Sequence, residues 1–541
     1  MKRRDAALLG AFLVLVWAGL SAVLLAKGGI YIAKHDGDTV HLFDIVLREA
    51  AGEWPHLDFM TPLGYLATAP IALFVALGFP AGMAFLLGQV LVGAILLLPV
   101  WWVGVSRLQT AWAMVLGAIC TVLALAMVHG EPEPLLSVSM HYNRWAWALA
   151  FPAIATAILE PVNRRSQVAD GLVIGLAVMA LALIKVTYVV AFAPTILVAL
   201  LLRRAWMTIG VACLAALAGV AVLTLAAGPA FWPAYLEDLL TVATSESRRR
   251  PGHKLTGVVA APAYLGGSFA AVISVILLRQ AGRAREGLLL LLLLPGFFYV
   301  TYQNYGNDPQ WLYLLAVLLF ALRPPAGTVN AMGWDMRQAV SLAGASVLML
   351  GLPSALNLTF SPFRHLAVDV SNHDALSETL ADVFVKAETT VQAWGMVELP
   401  FAREEAPDGG EDAEIAILNG EILPNCEVLS GLRVAYAGIA KDLEAAGYRG
   451  AAIYKADLLS GLWLFGDFKR LKGAAPWLYD GLPGIDAADY VVVPLCPVYS
   501  KSRAGVLKHL AEEGYGLTEV RRTPNYVLLE LQAPAAAPSE R

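Results

Sequence analysis

Long apolar runs recur through the first two thirds of the chain, separated by short polar turns, and then stop. Runs approaching the roughly 20 residues needed to cross a bilayer fall at 6–26, 62–79, 82–104, 111–128, 145–160, 169–184, 188–203, 206–227, 256–278, 287–303, 310–322 and 339–357. They predict a mainly α, polytopic bundle of about 11–13 spans. The first run follows Met1-Lys2-Arg3-Arg4 without an Ala-x-Ala site, which reads as an uncleaved anchor.

From about Phe363 the pattern changes. Short β-rich runs at 413–420, 451–458, 490–497 and 525–531 alternate with helix-like stretches at 430–446 and 501–514, the signature of a small α/β domain. The division expected is a membrane domain over 1–360, with a first external loop at 28–61, and a soluble domain over 361–535. Residues 536–541, in an Ala- and Pro-rich end, are expected to be disordered.

Composition and charge agree with this division. The 541 residues are 58% hydrophobic and only 15% charged, with a mean hydropathy of +0.63, which excludes an ordinary soluble enzyme. The segment from Phe363 onward carries 26 acidic and 16 basic residues, the preceding part 17 and 22. Basic groups at Arg164-Arg165, Arg203-Arg204, Arg279/Arg283/Arg285 and Arg323/Arg337 mark cytoplasmic loops. If all four are cytoplasmic, the loops around Lys185, 228–255 and 302–310 face out, as does the tail. Twelve spans from a cytoplasmic N-terminus would instead return the tail inside, so one segment before residue 160 is miscounted, in 62–104 or in 131–144. Cys426 and Cys496 lie in the tail, where a disulfide and two buried thiols are both open.

The chemistry gathers at polar interruptions of the apolar pattern. "KHDGDTVHLFDIVLREAAGEWPHLDFMTPLG", residues 34–64, follows the first span. It carries Asp36, Asp38, Asp44 and Asp58, with Gly37 suited to a tight turn and a short amphipathic interfacial helix ending near Gly52. A carboxylate at the membrane boundary can serve as a general base, and solvated loop charge is the alternative. Lys185 interrupts "ALALIKVTYVV", just before Tyr188, and a lysine in such a setting is functional or snorkels to the interface. "SESRRRPGHK" supplies Arg248, Arg249, Arg250, His253 and Lys254, suited to phosphate or to anionic lipid. "EPEPLLSVSMHYNRWAWAL" brings Glu131, Glu133, His141, Tyr142, Asn143 and Arg144 to one boundary, and "FFYVTYQNYGNDPQWLYL" brings Tyr302, Gln303, Asn304, Tyr305, Asn307, Asp308 and Gln310 to another. Their amides and rings suit sugar hydroxyls and C–H faces, and an interfacial aromatic belt accounts for the rings alone.

The layout resembles the GT-C superfamily of membrane glycosyltransferases, on the acidic pair Asp36/Asp38 after the first helix, the helix near 41–51, Gly52, the Pro55-His56-Leu57-Asp58-Phe59 segment and Pro62-Leu63. The spacing here is Asp-Gly-Asp where that pattern often has adjacent acids. The resemblance implies a GT-C-like fold and an inverting transfer of a hexosyl or pentosyl group from a polyprenyl-phosphate sugar. It implies an acceptor that is a lipid, a glycan or a protein, with membrane lipids as partners. The Ala- and Leu-rich composition and the lack of eukaryotic targeting signals point to a bacterial inner membrane, and the outward loops to its outer face and a periplasmic tail. Asp38 is then the preferred base and Asp36 the second. Lys185, Arg248, Arg249 and Arg250 would hold phosphate. Asp58, His56, Lys185, Tyr188, His141, Arg144, Gln303, Asn304, Asn307 and Asp308 would hold the substrates. Some members of such a family use a metal and others do not, so the resemblance implies no definite cofactor. His35, Asp36 and Asp38 leave room for a divalent cation but form no clear metal motif. A transporter or flippase of a lipid-linked sugar and a non-catalytic assembly subunit stay open as alternatives. No phosphate-binding glycine loop and no nucleic-acid surface is present in the sequence.

Overall fold

The computed structural model describes residues 3–130, 133–245, 261–304, 308–387, 416–428 and 431–534. The membrane part is built from α1 (Arg3–Leu25), α4 (Ala81–Arg107), α5 (Thr110–Leu125), α6 (His141–Ile158), α7 (Gln167–Ile184), α8 (Val186–Leu202), α9 (Trp206–Ala227), α11 (Pro262–Gln280), α12 (Ala284–Gln303), α13 (Trp311–Ala321) and α14 (Met336–Leu366). Seven of these are long and apolar enough to cross a membrane: α1, α4, α7, α9, α11, α12 and α14. The shorter apolar helices α5, α8 and α13 and the largely buried α6 fill the interior between them. Small residues let the helices approach closely, as membrane packing demands. A Cβ on Gly175 of α7 would meet the Ala212 carbonyl of α9 at 2.3 Å.

Side-chain contacts sort the helix termini into two ends of the bundle. At one end Arg107 bridges α4 to the Leu159 carbonyl after α6 and to Asp170 of α7, while Arg203 after α8 donates to carbonyls at the end of α6. Trp112 at the start of α5 stacks on Phe320 at the end of α13, and Arg285 of α12 pairs with Glu160. At the other end Lys27 after α1 donates to the Leu366 and Val368 carbonyls, and Lys185 after α7 reaches Asn304 after α12. All four basic groups flagged in the sequence lie at the Arg107 end.

The run at 62–79 is not a pass through the bundle. It forms a short 3-10 turn (Tyr65–Ala67) and the eight-residue α3 (Ala69–Ala76), about 12 Å long against a hydrocarbon core of about 30 Å. Pro62, Pro70 and Gly64 break what hydropathy alone reads as one span. Without this run, eleven helices build the membrane part among the described residues, seven of them long and apolar enough to cross a membrane.

The first loop folds against the tail. Strand β1 (Ile30–Ile32) pairs in parallel with β3 (Val383–Lys386), and β2 (His373–Ala375) joins β3 antiparallel, giving the order β1-β3-β2. Helix α2 (Asp36–Ala50) starts earlier than its apolar pattern suggests. Asp36, Gly37 and Asp38 form its first turn rather than a tight turn, because acidic residues there face the positive end of the helix dipole. The helix ends where Gly52 takes φ +92°. It does not lie open in the interface, since tail residues cover one flank and α3 packs along another.

The tail centres on β6 (Ile453–Lys455), β7 (Tyr490–Pro494), β8 (Gly516–Arg522) and β9 (Tyr526–Gln532), in the order β6-β7-β9-β8. The pair β6/β7 is parallel and the others are antiparallel. Helices α15 (Leu432–Ala445) and α16 (Ser500–Glu512) cover it, and β4 (Ile417–Leu418) and β5 (Glu421–Ile422) form a small hairpin. Between bundle and tail, α10 (Phe231–Thr244) packs its Phe231, Tyr235 and Val242 inward. Cys426 and Cys496 form a disulfide. The last membrane helix runs to Leu366, one turn past the composition change at Phe363. The expected disordered end, 536–541, lies outside the described residues.

Candidate active site

Helix α6 begins at His141, after Met140 adopts the left-handed conformation (φ 53°). Three tethers converge on this first turn. Ser139 Oγ donates to Asp38 Oδ2. Asn143 Oδ1 accepts from Lys185 Nζ at 3.0 Å, and Asn304 Oδ1 accepts from the same ammonium at 2.7 Å. His141 Nε2 donates to the Ala67 carbonyl at 2.8 Å. A carboxylate from α2 and a cation from the α7–α8 turn are thereby attached to residues four apart at the start of α6.

Asp38 is held by a chain of small polar groups. Ser139 N donates to Ser137 Oγ at 3.1 Å, and Ser137 Oγ lies 2.9 Å from His35 Nδ1. Asp36 sits about 200° round α2 from Asp38 and makes no hydrogen bond among the described residues. Burial raises its carboxyl above the ordinary value. The two acids therefore have different environments, and Asp38 is the one turned toward α6.

Lys185 occupies the junction of α7 and α8 in an extended conformation (φ −158°). Its ammonium lies 5.5 Å from the Tyr142 ring centroid. Tyr188, fully buried, donates its hydroxyl to the Asn143 carbonyl at 3.1 Å, fixing the residue that holds Lys185. Asn143 Nδ2 and both side-chain polar atoms of the buried Gln310 have no partner among the described residues. Buried amides left this way cost stability unless a bound group satisfies them.

Other expected site residues have different surroundings. Arg144 is buried and donates to the carbonyls of Ala126, Val128, His129 and Ser139, clamping the 126–139 loop rather than pointing to open space. Asp58 accepts from Trp54 N at 2.8 Å, and its carbonyl accepts from Gly473 N of the tail. His56, at φ 72°, pairs through Nδ1 with Asp238 Oδ2 of α10 at 2.7 Å and lies between the rings of Phe231 and Tyr235. Gln303 ends α12, half-buried, and Asp308 is half-buried before α13. Arg248, Arg249, Arg250, His253, Lys254, Asn307, Tyr305 and Glu131 lie outside the described residues. Among the described residues no group of three or more His, Cys, Asp or Glu side chains is arranged to hold a metal ion.

Two further residues, Ser139 at the junction and Glu49 at the end of α2, carried no sequence signal of their own. Ser139 lies in "SVSMH", where small polar residues look like loop filler. Glu49 closes α2, and its Oε1 accepts from Thr68 Oγ1 at 2.8 Å. The charged-helix pattern "LREAAGE" gives no hint that this carboxyl turns inward.

No family model matches the sequence, and no curated protein matches it. Among solved structures the chain is similar to ArnT from Cupriavidus metallidurans in the apo state, at 12% identity and a TM-score of 0.40, over 96% of this chain and 97% of that one. It is similar to the same protein bound to undecaprenyl phosphate at 13% identity and a TM-score of 0.37, over 97% of each. The arabinofuranosyltransferase AftD from Mycobacteria aligns at 13% identity and a TM-score of 0.42, over 98% of this chain and 40% of that chain. At these scores the alignments lend no weight to a function.

Proposed function

We propose that the chain is a membrane glycosyltransferase that moves a sugar from a polyprenyl-phosphate donor to an acceptor hydroxyl at the outer face of the cytoplasmic membrane. The observation that carries this reading is the attachment of Asp38 and Lys185 to the start of α6, through Ser139 just before the helix and Asn143 in its first turn. Sugar transfer needs that pair. The acceptor oxygen attacks the anomeric carbon while its proton passes to Asp38, and the bond to phosphate breaks on the opposite face. Negative charge gathers on the leaving phosphate, where the Lys185 ammonium and its amide partners are preorganised to receive it. Direct displacement of this kind inverts the anomeric centre.

The side of the membrane is supported by charge. The basic loops cluster at the Arg107 end, as cytoplasmic loops do, and the site lies at the other. A disulfide in the tail suits an oxidising compartment. The transporter alternative asks for broken helices near the midplane, whereas Lys185 sits in a turn between two full helices at the end of the bundle.

The test is transfer of labelled sugar from a panel of polyprenyl-phosphate sugars by purified protein in lipid nanodiscs, with Asp38→Asn beside wild type. Turnover lost with donor binding kept supports the reading. Equal turnover in both proteins, or donor flux across the membrane without transfer, removes it.

A further inference from the structure

The far end of α2 holds a third carboxyl that the transfer step does not use. Glu49 lies 11 residues after Asp38, which returns to within about 20° of the same face of α2, about 16 Å along the axis. Its Oε1 accepts from Thr68 Oγ1. Thr68 follows Ala67, whose carbonyl accepts from His141, and Gly64 N of the same segment donates to the Ile184 carbonyl, next to Lys185. Glu49 thus adjoins a segment that touches both His141 and the residue before Lys185. Its Oε2 is buried and has no partner among the described residues.

We propose that Glu49 is a ligand-contacting carboxylic acid that donates a hydrogen bond from Oε2 to a phosphate oxygen of the donor held by Lys185. This rests on the donor-site reading given above. The bond from Thr68 marks Oε1 as the carbonyl oxygen, which leaves the proton on Oε2. An unpartnered buried carboxylate facing a phosphate would repel it, whereas the acid form supplies a donor where one is needed. The surroundings favour the acid form. Burial pushes the Glu49 carboxyl up to about 8, with the Thr68 bond pulling the other way. The adjacent cation, Arg48, is taken up by Asp44 and Glu53. Tyr65, from the 3-10 turn, is itself raised by burial and by Glu49.

The sign follows directly. Donor affinity is nearly full at pH 7, is half lost near pH 8 as Glu49 ionises and falls by about 10-fold between pH 7 and pH 9. The probe is geranylgeranyl phosphate, with its dissociation constant measured in nanodiscs at pH 7 and pH 9. Glu49→Gln, whose amide also donates, keeps the pH 7 affinity and loses the decline, while Glu49→Ala binds weakly at both pH values. Lys185→Ala run alongside separates the two ideas. If it binds as wild type does, the donor-site reading fails whatever Glu49 does. If it loses binding but Glu49→Gln declines with pH as wild type does, or Glu49→Ala binds normally, the Glu49 proposal alone is overturned. An infrared carbonyl band that disappears in Glu49→Gln and shifts when the probe binds gives a second readout independent of variant affinity. A band unmoved by the probe counts against the proposal.

Discussion

Ser139 Oγ donates a hydrogen bond to Asp38 Oδ2 at 2.5 Å, joining the first external loop to the start of α6. The bond fixes the direction of one carboxylate among several. A base within reach of its proton typically contributes about 10²–10⁴-fold. Asp38→Asn is therefore expected to cut turnover by about 10³-fold with little change in donor affinity. Ser139→Ala should cost about 10-fold, because it frees the carboxylate without removing it. Asp36→Asn, on another flank of α2, should stay within a few-fold of wild type. Single-turnover transfer by the three variants checks the order, and a larger loss in Asp36→Asn would move the base to Asp36.

Lys185 should act mainly on binding. Hydrogen bonds to a charged group contribute about 1.5–3 kcal/mol, so Lys185→Met is expected to weaken donor binding about 10²-fold. Asn304→Ala, which leaves the ammonium with one fewer acceptor, should weaken it about 5-fold. Titration of a fluorescent polyprenyl phosphate into nanodiscs reads both values. Unchanged affinity in Lys185→Met would return this lysine to a snorkelling role.

How far these sites were legible depends on the range of the contact that makes them. The membrane passes and the tail strands 453–455, 490–494 and 526–532 follow from local pattern, and so do the lone Lys185 and the acidic loop. The run at 62–79 misled because hydropathy counts apolar residues without asking whether Pro62, Gly64 and Pro70 allow a continuous helix. The β1–β3 pairing joins residues more than 350 positions apart, and three-residue strands carry no periodicity to announce it. Arg144 looked like a ligand because it is charged among apolar residues. Only the path of the 126–139 loop shows that its Nη1 and Nη2 donate to carbonyls. Glu49 is the reverse, an ordinary helix-end acid by pattern that tertiary packing buries.

The joint between α2 and the tail should be a point of fragility. Asp44 and Arg48 are both essentially without solvent exposure. Asp44 accepts from Arg48 Nε, from Trp463 Nε1 and from Ser460 Oγ, while Arg48 also donates to Glu53 and to the Leu471 carbonyl. Removing one partner strands the other charge, a cost of about 3–5 kcal/mol. Asp44→Ala and Arg48→Ala should each lower the thermal midpoint and expose the tail to protease. Replacing both, as Asp44→Leu with Arg48→Met, should cost clearly less than the sum of the single changes. Turnover should fall with tail release, since α2 also carries Asp38.

The membrane orientation is open to a direct chemical test. Asn163 is exposed in the turn after α6 at the Arg107 end, and Lys472 is exposed on the tail segment that docks against α2. If all eleven helices cross the membrane, Asn163→Cys and Lys472→Cys face opposite compartments. In intact cells a membrane-impermeant maleimide should label Lys472→Cys at once and Asn163→Cys only after permeabilisation. The native Cys426–Cys496 pair should stay unlabelled until reduced. Reduction should lower the tail's unfolding temperature, because a cross-link over 70 residues is worth roughly 4 kcal/mol in the chain-entropy account. The opposite labelling pattern would put the tail and Asp38 in the cytoplasm. A sugar donor presented at the outer face would then have no access to the site, and the transfer would have to be sought on the inner leaflet.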